Sequence, residues 1–486
     1  MSVLIDEIIK KLCKDENIFD SDLPEYFKYF DVVDLIDLCD DDSMEAIDEE
    51  IVEETTMKGQ RKRMFKERCK KVTRDRKGPL EYMSSWSEEF FKKSMRFSRK
   101  TFNYLIDKMI EVFPGDPSLS GSDRYKLSLR KGRNSTPGSG PISIGIKLAV
   151  TLRILAGAST LDMHWYGVQH STVTQIFLWT LKLIDKALPE DEIFRFNPSS
   201  PTFLSDLQLM AEQFADIRER KYRNRNLMNQ ETIGAIDGIV IKILAPKEEE
   251  LGEKDLANFR NRKNCWALIA QGMCDAHGRF RYFDVNNPGS NPDIVCFKQT
   301  LLHQWITKEV IPSKYHMVGD EAYSSLGTDS VLCPFTRCQL LKAKKEDYQK
   351  YLKMRGFNFM LSSERITIER AFGMLVAKFA ILSHPLNFKL KTNIDIVMIC
   401  AKLHNVSINC YLEENPGEEF FFLAPDEIEE IPNREEAAKL CNPDVNHDED
   451  DAADPEHKAT PIEKQLKKMA IAEYIWSCGL RFADPV

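Results

Sequence analysis

None of the 12 cysteines in this sequence forms a Cys-x-x-Cys pair, the nine histidines are scattered, and Cys333 and Cys338 stand isolated with four residues between them. That pattern argues against a zinc site and for free thiols in a reducing compartment. Long apolar runs are lacking as well. The best candidate, residues 142–158, is broken by Lys147 and Arg153 and falls short of membrane-spanning character. The opening residues carry the early acids Asp6 and Glu7 and no basic stretch, so they do not read as a secretory signal. Compositional bias is absent too. A hydrophobic content of 43% and a charged content of 29% are ordinary for a soluble protein, and 486 residues suffice for two or three domains.

What is present is a segregation of charge. Residues 1–56 hold 19 acids against 4 bases, and residues 413–456 hold 17 against 2; the overall −9 therefore leaves about +19 on residues 57–412. A basic body between acidic arms suits a polyanion partner, whereas acidic tails alone would merely aid solubility. Lys58 to Lys77 packs 11 bases against 2 acids. It reads as a nuclear-import signal, a DNA-backbone contact or a solvated helix.

Three carboxylates have the setting that chemistry requires. Ile233 to Leu244 is a β-branched apolar run with Asp237 in its middle, where a carboxylate is costly unless paired or metal-bound. Taken alone, Asp237 also reads as a strand-end residue capping a turn with Gly238. Tyr315 to Gly319 predicts a short strand running into Asp320, at the carboxyl end where α/β sites tend to lie. Ser362 to Leu375 has helical period, with Ile368, Phe372 and Leu375 on one face and Glu369 at its margin. Such an all-oxygen set suits Mg²⁺ or Mn²⁺ and not zinc.

Further motifs follow in order: Gly234-Ala-Ile-Asp-Gly238, Asn261-Arg-Lys263, Asn287-Pro-Gly-Ser290 with Asp293, Gly319-Asp-Glu-Ala-Tyr323, Pro334-Phe335, Phe357-Asn358 with Ser362, Arg365, Glu369, Arg370 and Gly373, and Leu403-His-Asn405. In these the chain resembles the PIF/Harbinger-type transposases over roughly residues 90–410. The resemblance implies an RNase H-like nuclease with Asp237, Asp320 and Glu369 as its DDE triad. It departs at Asn287, where relatives carry an aromatic residue, at Pro292, where they often carry His, and after Gly373, where they are more basic.

Along the chain, residues 1–57 read as an acidic arm, either two short amphipathic helices or a disordered segment. Residues 58–85 form a basic linker, and 86–228 a helical region interrupted by a basic Gly/Ser/Pro-rich loop at 115–141. Within that region Ser143–Gly157, a short helix ended by Gly167, and a helix starting near Thr172 with Thr172 and Gln175 at capping-box spacing give a helix–turn–helix layout. It is either a reader of the major groove, through Gln169, His170, Ser171, Thr174 and Gln175, or an ordinary helical hairpin. Residues 229–412 make the nuclease domain, with strands at 233–244, 265–274 and 279–285 and a helix at about 292–308. Residues 413–486 form an acidic tail with a terminal helix. His404 reads as a satisfied core histidine. The expected fold is α/β, an RNase H-like core (mixed sheet with flanking helices) preceded by an all-α helix-turn-helix-like region.

The functional expectation is a DNA transposase that cleaves and joins transposon ends by two-metal-ion phosphodiester chemistry. Arg262, Lys263, Arg365, Arg370 and Lys378 are candidates for holding the phosphate backbone, with surface ion pairs as the alternative for each. The resemblance further implies terminal inverted repeats and an A/T-rich target as DNA partners, a Myb-like helper protein and a nuclear location; joining two ends suggests a homodimer or higher assembly. The competing expectation is a captured, non-mobile nuclear DNA-binding protein, and a weaker one a metal nuclease of repair or RNA processing.

Overall fold

The computed structural model describes residues 83–113, 142–222, 231–251, 255–326, 329–415 and 462–478, all within a unit running from Arg74 to Val486. The acidic arm, the basic run at Lys58–Lys77, the loop at 115–141 and most of the acidic tail lie outside the described residues.

Serine caps organise the helical region. Helices α1 (Glu88–Met95) and α2 (Arg99–Val112) start at Ser87 and Ser98, whose hydroxyls accept from the amides of Phe90 and Thr101. One continuous helix is expected here from the apolar period. Arg96 breaks it with a left-handed φ of 63°, because Ser98 offers the backbone a new start. Helix α3 (Ile144–Leu155) is capped by Ser143, and a 3-10 stretch (Thr160–Tyr166) is closed by Gly167 at φ 69°. Helix α4 (His170–Ala187) then begins two residues before the expected start, with Gln169 as N-cap and no side-chain cap bond. Thr172 and Gln175 are therefore inside the helix and form no capping box. Helices α5 (Glu190–Phe194) and α6 (Phe203–Tyr222) lead into the sheet.

Five strands follow: β1 (Glu231–Lys242), β2 (Ala267–Cys274), β3 (Phe280–Pro288), β4 (Tyr315–Val318) and β5 (Val331–Leu332), ordered β3-β2-β1-β4-β5. The pairs β1/β2 and β2/β3 are antiparallel, whereas β1/β4 and β4/β5 are parallel. This mixed order, with helices on both sides, is compatible with an RNase H-like core. Between β3 and β4 the expected single helix is two, α7 (Asp293–Lys298) and α8 (Leu301–Thr307), split where the Thr300 hydroxyl caps the second. Helix α9 (Arg337–Glu346) is announced by a capping box, Thr336 with Gln339, that the sequence reading passes over.

The 31-residue α10 (Tyr348–Lys378) lies against β1 and β2. Gly272 lets it come close: a β-carbon there would stand 3.0 Å from the ring of Phe372. Helix α11 (Leu390–Glu414) carries Asn405, whose amide accepts from Phe280 N (2.8 Å) and donates to Phe280 O (2.6 Å) as a neighbouring strand would. Asn358 does the same for Phe335, at 2.7 and 2.9 Å. His404 is buried, with Nε2 2.8 Å from the Gly278 carbonyl oxygen, as its core reading expects. The terminal helix α12 (Ile462–Ser477) packs on α10, where Lys353 meets Glu473 at 3.8 Å.

The helical region and the sheet share one apolar core. Phe97 packs on Phe379 and Phe177 on Phe388, with ring centroids 6.1 and 5.5 Å apart. Among the described residues no helix is long and apolar enough to cross a membrane.

Candidate active site

Strand β1 is the place where the sheet changes from antiparallel to parallel. Its pairing with β4 stops at Ala235↔Val318, while its pairing with β2 continues to Lys242. A crevice forms where strand directions diverge, beyond the carboxyl end of β4. Asp237 lies just past that point, in the interior of β1 and not at a strand end. Asp320 follows β4 by two residues, and its Oδ1 accepts from the Glu321 amide at 2.6 Å.

The surroundings of Asp237 disfavour its charge. Its side chain is 23% exposed, and burial pushes its carboxyl up to about 7. The Gly238 amide, which donates to its Oδ1 at 2.8 Å, and the Arg365 guanidinium pull the other way, whereas Asp293 and Asp320 push it further up. Burial and Asp320 also raise Asp293, opposed by Gln271 and Arg262.

Glu369 is reached through Arg365. On α10 these two pair at 2.8 Å, four residues apart, and another Arg365 nitrogen stands 4.0 Å from Asp237. Arg365 is thus turned into the site, although phosphate contact is its expected role. Among the described residues no three His, Cys, Asp or Glu side chains stand together as a ready metal-binding group, so Asp237, Asp320 and Glu369 are not a preassembled three-donor centre. The donors nevertheless fit a hard divalent ion. They are all oxygens, and Asp293 and Asp320 raise the proton affinity of Asp237 while Asp320 raises that of Asp293, a crowding that a cation relieves.

Three participants are missed by the sequence reading as site residues. Asp293, at the start of α7, lies so close to Gly238 that a β-carbon there would be 2.4 Å from its Oδ1. Gln271 stands 3.5 Å from the same oxygen through Nε2, and its Oε1 accepts from the Tyr323 hydroxyl at 2.9 Å. The signal is Gln271 itself, the lone amide in a strand of eight buried residues.

Behind the acids a buried polar cluster joins the elements that carry them. Arg218 of α6 donates to Glu364 of α10 at 2.6 Å. Thr232 of β1 donates to the other oxygen of Glu364 at 2.8 Å and lies 2.9 Å from His316 Nε2 of β4. Thr232 precedes Asp237 by five residues, His316 precedes Asp320 by four, and Glu364 precedes Glu369 by five. The register of all three acids is therefore set by one cluster. Arg218 belongs in sequence to a basic connector, yet it is 3% exposed.

The remaining candidates divide. Arg262 and Lys263 are exposed in a turn pinned by the Asn261 side chain, which accepts from the amides of Lys263 and Cys265. Arg370 is exposed on α10. Lys378 is not available to a backbone phosphate: it is 2% exposed, donates to the Ser407 hydroxyl, and lies over the Phe97 ring. The helical period carries it into the α10–α11 packing. Gln169, His170, Ser171, Thr174 and Gln175 all lie exposed at the start of α4, with His170 Nε2 3.2 Å from Thr160 Oγ1.

Residues 236–405 match a family model described as DDE superfamily endonuclease, from the β1 segment around Asp237 to Asn405 of α11. The match supports a DDE transposase-type nuclease. Within this DDE segment lie Asp237, Asp320, Glu369 and Arg365, together with the Asn358 and Asn405 braces. No curated protein and no solved structure matches the chain.

Proposed function

We propose that the chain is a divalent-metal-dependent DDE endonuclease and strand transferase of PIF/Harbinger type, which cleaves and joins transposon-end DNA. The observation that carries the reading is the association of Asp237, Asp320 and, through Arg365, Glu369 beside the open edge of β1, inside the DDE segment. Asp237, Asp320 and Glu369 are the residues that would hold Mg²⁺ or Mn²⁺. When bound, the ions would supply positive charge that offsets the phosphodiester's negative charge and favours in-line displacement. The chain's part is to present the carboxylates in register, to hold Glu369 by its pair with Arg365, and to keep the Asp237 carboxyl in a poorly solvated setting where a cation is strongly favoured over water. The basic body of residues 57–412 suits a duplex DNA partner. A nuclear location and a Myb-like helper belong to the same reading through the family resemblance, and an assembly of at least two copies through the need to join two ends.

A second reading, a captured DNA-binding protein without cleavage, is favoured by one observation: Arg365 already supplies positive charge to two of the three acids. The deciding experiment is cleavage of a labelled duplex bearing the neighbouring terminal inverted repeat, with Mg²⁺ or Mn²⁺, with and without the helper. Metal-dependent nicking at the repeat end, lost in Asp237→Asn, Asp320→Asn and Glu369→Gln with binding retained, is the expected result. Cleavage persisting in all three variants would sink the triad, and binding without nicking under every condition would favour the captured form.

A further inference from the structure

Away from the acids, α6, the β2–β3 turn and α10 enclose a cavity of about 260 Å³. Arg220, His277 and Arg370 line it together with Ser363 and Thr367, and no carboxylate lies among its lining residues. The contrast within the molecule is sharp. A larger cavity of about 840 Å³ is lined by Asp191, Glu192, Asp206 and Glu413 against Arg195 and Arg279, a wall that repels anions.

On α10 the cavity takes the stripe Ser363, Thr367, Arg370 and Met374, at three- and four-residue intervals. Arg365 and Glu369 occupy a stripe roughly 150° away around the helix at 3.6 residues per turn. A group seated in the cavity is therefore not the group cut at the acids. Arg220 and Arg370 are both exposed residues, so the cavity they line is reached from solvent. In sequence Arg220 is followed by Lys221, Arg223 and Arg225. Two guanidinium forks and two hydroxyls lining one cavity form a donor set of the kind phosphate oxygens accept from.

We propose that this cavity seats a backbone phosphate of duplex DNA, distinct from the scissile one, so that α10 serves the substrate along two stripes. The choice of DNA as the polyanion rests on the nuclease reading above. The pocket reads no base, so its contribution is independent of sequence and is lost with salt.

The test is fluorescence anisotropy of a labelled random-sequence duplex with the full chain in chelator, across a KCl series. Arg220→Gln/Arg370→Gln is expected to weaken binding about tenfold and to lower the slope of log Kd against log[salt] by about 1–2. Each single variant gives a smaller change in the same direction, so the result does not hang on the double variant folding. Arg220→Lys/Arg370→Lys, which keeps charge but not the fork, restores the slope and only part of the affinity. Unchanged affinity and slope in the Gln variants would overturn the pocket, as would a wild-type chain that binds no duplex. Tighter binding of an RNA duplex, lost in the same variants, would overturn the assignment to DNA. Asp237→Asn run alongside separates the two readings: loss of its cleavage reports on the nuclease, while its duplex binding, with the pocket intact, is expected to stay at the wild-type level.

Discussion

Arg365 pairs with Glu369 at 2.8 Å while another of its nitrogens stands 4.0 Å from Asp237. One guanidinium thus links a helix-borne acid to a strand-borne one. Its charge favours the ionised form of Asp237 against the burial that opposes it. Arg365→Gln removes that help and raises the proton affinity of Asp237 further. The expected outcome is an acidic limb of the cleavage pH profile displaced to higher pH. A limb that stays where the wild type has it would show that Arg365 acts elsewhere.

The carboxyl of Asp237 also makes stability depend on pH. Its folded value of about 7 lies above the ordinary Asp value of 3.8. Between those values the folded chain holds a proton that the unfolded chain has lost, so stability falls as pH rises through that window. Asp237→Asn abolishes this dependence. In chelator its melting temperature is expected to match wild type near pH 4 and to exceed it at pH 8. The gain is on the order of a few kcal/mol at most, since one pKa unit corresponds to roughly 1.4 kcal/mol.

The Arg218–Glu364 pair, with its side chains 4% and 3% exposed, gives a sharper test of the buried cluster. Removing one partner strands the other charge, so Glu364→Leu or Arg218→Met alone is expected to cost about 3–5 kcal/mol in urea unfolding. Removing both is expected to cost less than the sum of the two. Simple additivity would mean that the pair does not hold α6 and α10 together.

Asn287 is 1% exposed, and among the described residues neither its Oδ1 nor its Nδ2 has a hydrogen-bond partner. A buried amide left so costs about 1–3 kcal/mol. Asn287→Leu, similar in volume and apolar, is expected to raise the urea midpoint. A lowered midpoint would reveal a partner for the amide in the folded chain.

Most of the sheet is legible in the sequence because its strands are short apolar or aromatic runs bounded by turn residues, and Asp237 stands out against the β-branched run of β1. Asp320 and Glu369 are legible from a strand end and a helical margin. The helical breaks at Arg96 and Thr300 are not, since a serine or threonine cap competes with an apolar period only where the tertiary fold allows the chain to turn. Lys378 defeats the reading of basic residues as surface because its ammonium lies over Phe97, a residue 281 positions earlier in the chain. Glu364 carries a signal of its own. It precedes Ile368 by one turn on the buried face, where a charge demands a partner. That the partner is Arg218 depends on a contact across 146 residues, which no local pattern encodes.

Those long separations bear on how the chain is made. Thr232 meets His316 across 84 residues and Glu364 across 132, and Asn405 reaches back 125 to Phe280. A chain emerging from the ribosome carries Asp237 and Asp320 well before it carries the helix that orients them. Pairings this remote close late. Until α10 and α11 have been synthesised, the two aspartates have neither Glu369 nor the Glu364 brace. Assembly of the site therefore waits on the last third of the protein, and a chain released before that point carries the two aspartates without Glu369 or its Arg365 partner.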